Sequence, residues 1–589
     1  MSKEEIELLT SPIERPLVGR LFVIGGPLGL AVALLLSLWV SQQQVTHAVI
    51  VQGEPQWVGG ETLAMRVQVT PESPTKVGEA SVAIAVEQGG VRHELGALSR
   101  VHGGGMAQGR VVVPSLTPGA AILDVNVEAS PFPPRVERIP IEVVAERTPV
   151  PARHVVSTSM SQYADDSDPQ PEALKIDVRP RRRVLAGFEN ELMVRVTEPA
   201  GKPWSGPLAL RLVDGEFAER RGNAEDPPLV WEGHTDAAGL ALVHGLLSTE
   251  VLRVLVQLRA PQEAAAEPAP EDPAVKDPPD PPVEGEAAVE PVPATPPPPK
   301  VLHERKIRLV SFAGAVLLTT EPLQVEPGGE LEVLALGLSA KRPVFVDVYD
   351  PDGAWVDTFD PPIQGREPAR PWSTPAQLSG LLQLEAYHFT NAPGESTAVA
   401  RVLARSPASP PSLREGLEQQ RGRLSLPRND RTWDEKRERG YLDALEQAEK
   451  AGTLPPQARA MAQRWVIDTL PVEVHGPPLL LSTRERDLLA MREHKLRWIF
   501  GLRLFVFGGG GLYLVAMTVL MLRSHARDGE ATIAELRASM PEGEERELLE
   551  ADVRRSKHAG MMRGLLVVAA MAAGLVTAVL LLEILVWEL

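Results

Sequence analysis

Long apolar runs near both ends of the chain set its first boundaries. The runs at 21–40, 499–522 and 564–586 are nearly free of charge, and each has the roughly 20 residues that a helix needs to cross a bilayer. They predict three transmembrane helices, with residues 41–497 on one side of a membrane. A cleaved signal peptide is the alternative for the first run, although no small-x-small cleavage motif comes after it. Either alternative leaves 41–497 outside the cytoplasm.

Most of the region between the first two runs shows the period-two alternation of half-buried strands. Gly- and Pro-rich turns recur between short apolar stretches, which is typical of antiparallel sandwiches. The pattern predicts sandwiches at 45–148, 172–260 and 301–406, with a linker at 149–171. The predicted fold class is therefore a mainly β ectodomain of tandem antiparallel sandwiches, with a small helical segment and three transmembrane α-helices.

One segment departs from this alternation by composition. Residues 261–300 hold fourteen prolines and nine carboxylates and no aromatic residue. Such a segment cannot bury a core, so we expect a disordered, self-repelling spacer. It is either a plain flexible linker between domains or a spacer that lets distal domains reach across an envelope layer.

A second segment, 412–482, changes to helical periodicity. It leads into Ser482-Thr483-Arg484-Glu485, which has the pattern of a capping box. We therefore expect a long helix at 483–522 that includes the second apolar run. The third run comes after a charged loop at 523–563, whose apolar positions suit one or two amphipathic helices.

Basic residues orient the predicted spans. Residues 1–20 hold three Lys or Arg, 41–60 hold none, and 523–563 hold eight. The positive-inside rule then places the N-terminus and the 523–563 loop in the cytoplasm, residues 41–497 in the periplasm and the C-terminus outside. Richness in Ala, Gly, Pro and Val hints at a GC-rich bacterial genome, so the predicted location is the bacterial inner membrane.

Aromatic and ionisable residues in the spans agree with this orientation. Trp39, Trp498 and Trp587 fall at the same outer interface, where indole rings favour the headgroup level. Arg503 and Glu583 each lie about four residues inside the outer end of their span. Ionisable residues within a membrane are rare and usually paired, so we expect these two to form an ion pair; snorkelling to separate headgroups is the alternative.

Glycines in the spans predict close helix packing. Small residues let helix backbones approach each other in a membrane. The predicted packing positions are Gly508, Gly509, Gly510, Gly511, Gly560 and Gly564, with a further GxxxG pair at Gly25 and Gly29.

Composition removes several classes of function. The net charge is −18, so the chain repels nucleic acid and is not expected to bind it. It has no cysteine, which excludes thiol nucleophiles, Cys–zinc sites and Fe–S clusters. Each extracytoplasmic domain must then be stabilised by its own core without disulfides.

Candidate catalytic motifs are incomplete. His102-Gly103-Gly104-Gly105 matches an oxyanion loop of lipases, but no Gly-x-Ser-x-Gly elbow accompanies it. An acidic cluster at 347–360 lacks the ligand spacing of a calcium loop, and its Asp350-Pro351-Asp352-Gly353 is a good turn. No phosphate loop or dinucleotide fingerprint is present. We expect no enzyme activity, no cofactor and no metal site.

The three β regions open alike, with W57VGGETLAMRVQV, V184LAGFENELMVRV and V325EPGGELEVLAL. The third continues into VFVDVYDPDGAWVDTF at 344–359, which resembles the second macroglobulin-type (MG2-like) domain of the α2-macroglobulin family. The second, with GKPWSG and TDAAG, resembles bacterial immunoglobulin-like modules. The resemblance implies sandwiches used for spacing and binding. The covalent trapping of that family needs a thioester cysteine, which this chain lacks.

Two functional hypotheses arise from these features. The first is a non-enzymatic, membrane-anchored envelope scaffold or adhesion protein that presents its sandwiches outside the cytoplasm. The alternative is a transmembrane transducer or regulatory subunit, in which the 485–522 helix passes a signal to the 523–563 loop. Either role implies the membrane and other envelope or inner-membrane proteins as partners, and a homo-oligomer is also compatible.

Overall fold

The structure is a computed structural model, and the residues that it describes leave several gaps. They are 28–29, 32, 35–36, 47–71, 77–101, 105–152, 154–156, 163–165, 174–181, 185–217, 227–246, 251–260, 300–310, 316–337, 344–359, 370–388, 397–405, 413–424, 435–470, 472–582 and 584. Most of the first predicted span and nearly all of the predicted spacer therefore lie outside the described residues.

Sandwich 1 packs two five-stranded sheets around one core. Its strands are β1 (His47–Gly53), β2 (Gln56–Val58), β3 (Thr62–Pro71), β4 (Ala80–Gln88), β5 (Val91–Ala97), β6 (Ser99–Arg100), β7 (Met106–Val112), β8 (Gly119–Ala129), β9 (Arg135–Val144) and, from much later in the chain, β28 (Leu479–Ser482). The sheet orders are β28-β1-β3-β7-β6 and β2-β9-β8-β4-β5. Alternate residues of β3, such as Leu63, Met65 and Val67, enter the core because side chains of a strand alternate between its two faces.

Sandwich 2 has a five-stranded and a three-stranded sheet. Its strands are β11 (Tyr163–Asp165), β12 (Lys175–Pro180), β13 (Glu189–Thr197), β14 (Pro207–Asp214), β15 (Leu229–His234), β16 (Leu240–Leu246), β17 (Val251–Arg259) and β18 (Val301–Val310). The orders are β11-β18-β17-β14-β15 and β12-β13-β16. Strands β12–β17 fall within the predicted 172–260 range, whereas β18 does not.

The position of β18 contradicts two predictions: that residue 301 begins the third sandwich, and that 261–300 lies between two domains. It pairs with β17 along its whole length, from Val251 with Val310 to Arg259 with Val301. The Ala260 amide donates to the Lys300 carbonyl at 2.9 Å, so the two ends of the proline-rich segment lie side by side. Residues 301–310 therefore belong to sandwich 2, and the segment is an insertion between two paired strands. The prediction that it separates two domains is wrong, because the strands before and after it are neighbours in one sheet of sandwich 2.

Sandwich 3 lies at 316–405. Its strands are β19 (Val316–Glu321), β20 (Gln324–Val325), β21 (Glu330–Gly337), β22 (Phe345–Tyr349), β23 (Trp355–Phe359), β24 (Arg370–Ser373), β25 (Gly380–Tyr387) and β26 (Ala398–Ala404). They form sheets in the orders β19-β21-β24 and β20-β26-β25-β22-β23. The core lies between these sheets and includes Val333, Val346 and Leu384.

Three helices form a small unit against sandwich 2. They are α1 (Arg414–Leu424), α2 (Glu435–Lys450) and α3 (Pro456–Asp468). Their apolar faces bury Tyr441, Leu445 and Trp465 against Met193 and Leu240 of β13 and β16. The helical unit thus covers the outer face of the three-stranded sheet.

The predicted helical segment 412–482 ends earlier than expected. After α3, the strand β27 (Val472–Val474) pairs with β10 (His154–Val156), and β28 comes next. The intervening Gly476-Pro477-Pro478 does not favour a helix, since proline lacks a backbone donor. The predicted linker 149–171 likewise contains two short strands, β10 and β11.

Two long helical segments complete the described chain, the first made of α4 and α5 and the second of α6. Helix α4 (Arg484–Arg503) continues through a π-helical turn (Leu504–Gly509) into α5 (Gly510–Ser539), and α6 (Glu544–Leu582) returns alongside α5. The segments Arg484–Ser539 and Glu544–Thr577 are long and apolar enough to cross a membrane. Within the described residues there are two such helices rather than three.

The predicted loop 523–563 is itself helical. Both long helices extend through it and meet at a turn, 540–543, so we call residues 523–563 the helical hairpin. Arg537 of α5 and Glu550 of α6 form an ion pair at 3.0 Å, and Gly529 packs against Lys557. The long helix predicted at 483–522 therefore continues to Ser539.

Candidate functional site at the junction with the membrane helix

The strand that precedes the long helix is part of sandwich 1. In β28, Ser482 pairs with Ile50 and Leu481 with Val51 of β1. Leu480 and Leu481 pack against the core of the sandwich. Sandwich 1 thus contains both the first described strand of the chain and the last strand before the long helix.

Thr483 is the single residue between β28 and α4. Its amide donates to the Val49 carbonyl at 3.0 Å, and its Oγ1 accepts from the Val49 amide at 2.9 Å. Thr483 lies at the N-cap of α4, but its side chain makes no capping hydrogen bond to the helix backbone. The predicted capping box, with Ser482 as its N-cap, is therefore wrong: Ser482 belongs to β28, the helix is capped one residue later at Thr483, and the Thr483 hydroxyl extends the pairing of β28 with β1.

Charged side chains hold the first turn of α4 against sandwich 1. Asp487 accepts two hydrogen bonds from Arg135, at 2.6 and 2.9 Å, and one from Thr483 at 2.5 Å. Arg486 donates to Glu137 at 2.8 Å. We call these five residues the helix clamp. Because charge-assisted, bidentate hydrogen bonds are directional as well as strong, the clamp fixes both the position and the rotation of α4.

The protonation of the clamp is fixed by its own bonds. Burial raises the pKa of Asp487, but the hydrogen bonds from Arg135 and Thr483 outweigh it, so the pKa lies below its ordinary value. The Asp487 carboxylate therefore remains charged at neutral pH.

Arg135 is itself held in place by a further bond. It donates to the His47 carbonyl at 3.1 Å, and the His47 ring stacks on Phe132 at 4.4 Å.

A buried arginine joins sandwich 1 to sandwich 3. Arg66 of β3 is fully buried and donates to Asp347 at 2.7 Å, Thr358 at 2.8 Å and the Tyr387 hydroxyl at 2.9 Å. Its guanidinium lies 5.2 Å from the ring centre of Trp355. Burial alone would lower the pKa of Arg66, but Asp347 and Tyr387 raise it above its ordinary value.

Further contacts surround this arginine. The Trp355 amide donates to Glu54 at 2.7 Å, and Arg110 donates to Asp357 at 2.5 Å. Asp350 accepts from the amides of Asp352 and Ala354, which agrees with the turn predicted there. The acidic cluster at 347–360 thus supplies interface and turn contacts, and no group of three possible metal ligands occurs among the described residues.

A second buried arginine joins sandwich 2 to the helical unit. Arg195 of β13 contacts Asp177 of β12 and Glu438 of α2, with a 2.8 Å bond to the latter. Its guanidinium lies 4.7 Å from the ring centre of Tyr441 and 5.0 Å from that of Trp465. Like Arg66, it lies on the outer face of its sandwich and is covered by the neighbouring unit.

The chain between α3 and β28 connects these units to the long helix, and we call residues 472–478 the return segment. Its strand β27 pairs with β10, and its Glu473 carbonyl accepts from Gln383 of sandwich 3 at 2.6 Å. The His475 and Gly476 amides donate to Glu385 at 2.7 and 3.2 Å. The return segment is thus bound to sandwich 3 immediately before it enters sandwich 1.

The predicted membrane residues are described only in part. Trp498 donates its indole N–H to His494 at 3.0 Å, whereas Trp39 and Trp587 lie outside the described residues. Arg503 ends α4, but Glu583 lies outside the described residues, so their ion pair stays a prediction.

The predicted packing glycines differ in how close they lie to side chains of the neighbouring helix. A Cβ on Gly510 would approach Leu575 of α6 to 2.9 Å, one on Gly560 would lie 3.7 Å from His525, and Gly564 contacts Met521. These three lie between α5 and α6. Positions Gly508, Gly509, Gly511 and Gly29 have no described atom within 4 Å of such a Cβ, and Gly25 lies outside the described residues. Among the described residues the strip at 508–511 thus makes one contact, at Gly510, and packing of the other three glycines against a partner stays a prediction.

A cavity of about 750 Å³ lies between α4 and the described residues Leu28, Gly29, Val32 and Leu36. Its walls are mainly apolar, with His494 and Arg497 among the lining side chains. No carboxylate or hydroxyl nucleophile from the described part of the chain lines it, so it lacks the convergent groups of a catalytic pocket.

Comparisons with known proteins give no family assignment. No protein-family model and no curated protein matches the sequence. Similar solved structures include Escherichia coli alpha-2-macroglobulin activated by porcine elastase, at 12% identity and a TM-score of 0.14, covering 62% of this chain and 31% of that one. The chain thus spans about a third of the length of that macroglobulin.

Two other solved structures are similar over a comparable share of this chain. A tetra-tandem repeat from the extending region of a large adhesion protein has 11% identity and a TM-score of 0.14, covering 61% of this chain and 75% of that one. Dimeric latent PorU from Porphyromonas gingivalis has 13% identity and a TM-score of 0.19, covering 61% and 34%. Superposition is poor at these TM-scores, so the description of three sandwiches rests on the strand pairing of this chain.

Proposed function

We propose that the protein is a non-enzymatic, membrane-anchored subunit that couples a rigid extracytoplasmic domain to a helical hairpin in the cytoplasm. The observation that carries this proposal is the junction itself. Strand β28 lies in a sheet of sandwich 1, and one residue separates it from a helix of 56 residues. At 1.5 Å per residue such a helix is roughly 80 Å long, enough to cross a membrane and extend well beyond it.

The junction leaves little freedom between the ectodomain and the helix. A linker in which several residues rotate freely would uncouple the two parts. Here Thr483 is bonded to β1 through both backbone and side chain, and the helix clamp holds the next turn. A change in the orientation of sandwich 1 would therefore move α4 with it.

The contacts between domains favour this coupling role over an extended adhesion stalk. A stalk strings its domains one after another, so that each contacts only its neighbours in sequence. In this chain sandwich 1 is bonded to sandwich 3 through Arg66, and the chain then returns to sandwich 1. The scaffold hypothesis shares this rigid ectodomain but needs no movement of the helix.

The absence of an enzyme activity is also part of the proposal. Strongly perturbed, buried charged groups often mark catalytic sites. Two of the buried charged groups described here, Arg66 and Arg195, are each paired with carboxylates, Asp347 in one case and Asp177 and Glu438 in the other, across or beside domain interfaces. Their arrangement is that of structural bonds between units.

The proposed location is a bacterial inner membrane, with sandwiches 1–3 in the periplasm. Coupling requires the ectodomain and the helical hairpin to lie on opposite sides of the bilayer. The chain has no cysteine, so single cysteines can be introduced without a background. Val91 of β5 is exposed, and Glu542 lies in the exposed turn of the hairpin.

With a membrane-impermeant maleimide, we expect Val91→Cys to react in cells whose outer membrane alone is permeabilised. Glu542→Cys should react only after the inner membrane is also opened. Labelling of both positions from the same side would contradict the proposal, and the cysteine-free parent protein is the control.

A further inference from the structure

One buried carboxylate binds the return segment to sandwich 3. Glu385 of β25 is fully buried. One of its oxygens accepts from the His475 amide and the other from the Gly476 amide, while Gln383 donates to it at 2.9 Å. A single side chain thus binds two consecutive amides of the return segment.

The position of this carboxylate matters because the return segment runs directly into β28. Gly53 of β1 already donates to the Pro478 carbonyl at 2.9 Å. Release of the return segment would therefore loosen the strand that precedes the helix clamp.

We propose that Glu385 is a proton-operated latch, which holds the return segment on sandwich 3 and thereby sets how firmly the ectodomain holds α4. The inference rests on the proposed coupling function and assigns a regulatory signal, the proton, to the same junction.

The charged and titratable groups around Glu385 come from four elements. Asp347 and Tyr349 belong to β22, with Asp347 directly opposite Glu385 in the sheet. Arg401 belongs to β26 and Tyr387 to β25 itself. The return segment contributes Glu473 and His475, whose ring stacks on Tyr349 at 5.1 Å.

Burial is the main influence on Glu385 and raises its pKa to about 7; hydrogen bonds from His475, Gln383 and Gly476 oppose the rise, and Asp347 adds to it. Burial and Arg401 lower the pKa of His475 to about 4. The imidazole is therefore neutral in the range in which Glu385 titrates. Tyr349 and Tyr387 have pKa values raised by burial and stay neutral as well.

The sign of the effect is given by linkage. A carboxyl whose pKa is raised in the closed state binds its proton more tightly there than in an open, hydrated state with the ordinary value of 4.5. The stability of the closed latch is then fully present below about pH 4.5 and is lost progressively as the pH rises to about 7. The latch is closed in acid and weakened above neutrality.

Hydrogen exchange of the full-length protein in nanodiscs tests this inference. The probe is the protection of peptides that cover 472–478, corrected for the pH dependence of chemical exchange. Between pH 5 and pH 8, we expect this protection to fall on the order of 50-fold in the unmodified protein. A peptide from β21 serves as an internal reference and should change little.

Two variants separate the latch from a general effect of pH. Glu385→Gln keeps an acceptor without a charge, and its protection should be nearly independent of pH. Glu332→Gln, at an exposed position of β21 in the same sandwich, should retain the dependence of the unmodified protein. Protection that is constant or rises with pH in the unmodified protein would overturn the inference, as would the same pH dependence in Glu385→Gln.

This outcome is independent of the proposed function. Exchange at 472–478 reports the latch alone, whereas the cysteine labelling of Val91 and Glu542 reports the placement of ectodomain and hairpin. A latch that titrates in a protein with both labels on one side would leave Glu385 as the group that holds the return segment, but would reject the coupling and with it the effect of the latch on α4.

Discussion

Replacement of Arg66 by alanine is expected to lower the free energy of unfolding by about 3–5 kcal/mol, the usual cost of removing one partner of a buried ion pair. Both partners of the Arg66–Asp347 pair are fully buried. Without the guanidinium, the Asp347 charge is left without its counter-charge, and Tyr387 and Thr358 lose a hydrogen-bond donor. The sandwich 1–sandwich 3 interface should therefore open first.

Chemical denaturation of the full-length protein in detergent, monitored by tryptophan fluorescence, measures this loss. Trp355 is a suitable reporter because it is buried beside Arg66. The double variant Arg66→Ala/Asp347→Ala should lose less than the sum of the two single variants, since it removes the unpaired charge as well. Additive losses would show that the two side chains do not interact. Arg439→Ala, whose ion pair with Glu435 is exposed at 53% and 51% of the two side chains, is the surface control and should behave like the unmodified protein.

Replacement of Arg195 by alanine is expected to have a similar cost, about 3–5 kcal/mol at neutral pH. This arginine is buried between Asp177 and Glu438, so its removal leaves two like charges close together. Because Glu438 belongs to α2, the helical unit should separate from sandwich 2 more readily. Denaturation curves of the full-length protein report that separation.

Removal of Arg195 should also reverse the way in which acid changes the stability contributed by these carboxyls. In the unmodified protein, burial raises the pKa of Asp177, but Arg195 and the neighbouring cations outweigh it and lower the pKa to about 2. The stability that this carboxylate contributes is present above its ordinary value of 3.8 and is lost as the pH falls through about 2. Without Arg195, the two carboxyls gain stability by taking up protons, so the deficit of the variant should shrink between pH 7 and pH 4.

A deficit of constant size over that range would contradict the role given to Arg195. Arg414→Ala is the control within the helical unit. Its ion pair with Glu418 is largely exposed, at 81% and 60% of the two side chains, and such pairs contribute little to stability. It should change neither the neutral-pH stability nor the acid response.

Strand positions and turns were predictable from the sequence because they depend on local patterns. Alternation in LAMRVQV and LMVRV gives strands β3 and β13, and Asp350 forms the turn that its sequence predicts. The same alternation places Arg66 and Arg195 on the faces opposite to the cores. A sequence pattern cannot tell whether such a face meets water or another domain, so neither arginine was recognised as an interface residue.

The sequence nevertheless contains a pattern that indicates buried positions for Arg66 and Arg195. Both occupy corresponding positions in the openings of the first and second β regions, and the third opening has Glu332 and Leu334 on that side of its strand, with Glu332 exposed. Arginine between Met or Val residues in two repeated strands indicates a buried, paired cation, because a charged residue in such a strand needs a partner. Comparing the three openings by face would have revealed it.

The pairing between distant segments was not predictable. β28 joins β1 across more than four hundred residues, and β18 joins β17 across the proline-rich insertion. Short apolar strands such as Leu479–Ser482 carry no mark of their partner, since apolar residues fit many half-buried strand surfaces and the preference depends on the neighbours that the fold supplies. The residues at the start of α4 match a capping box by local sequence alone, and that local pattern does not include the distant strand β1, to which Thr483 bonds.

Sandwich 1 and α4 are expected to move as one body, and the proposed coupling depends on this. A distance measurement between spin labels on Val91→Cys in sandwich 1 and Leu489→Cys in α4 provides the sharpest test, because both positions are exposed and the chain has no other cysteine. We expect a single narrow distance distribution in the full-length protein in nanodiscs.

The distribution should broaden in the double variant Arg135→Ala/Asp487→Ala, which removes the bidentate bond of the helix clamp. Arg497→Ala is the matched control, since Arg497 forms an exposed ion pair with Glu493 within α4 itself, and the distribution there should stay narrow. A distribution that is already broad in the protein with an intact clamp would contradict the rigid junction, and with it the proposed coupling.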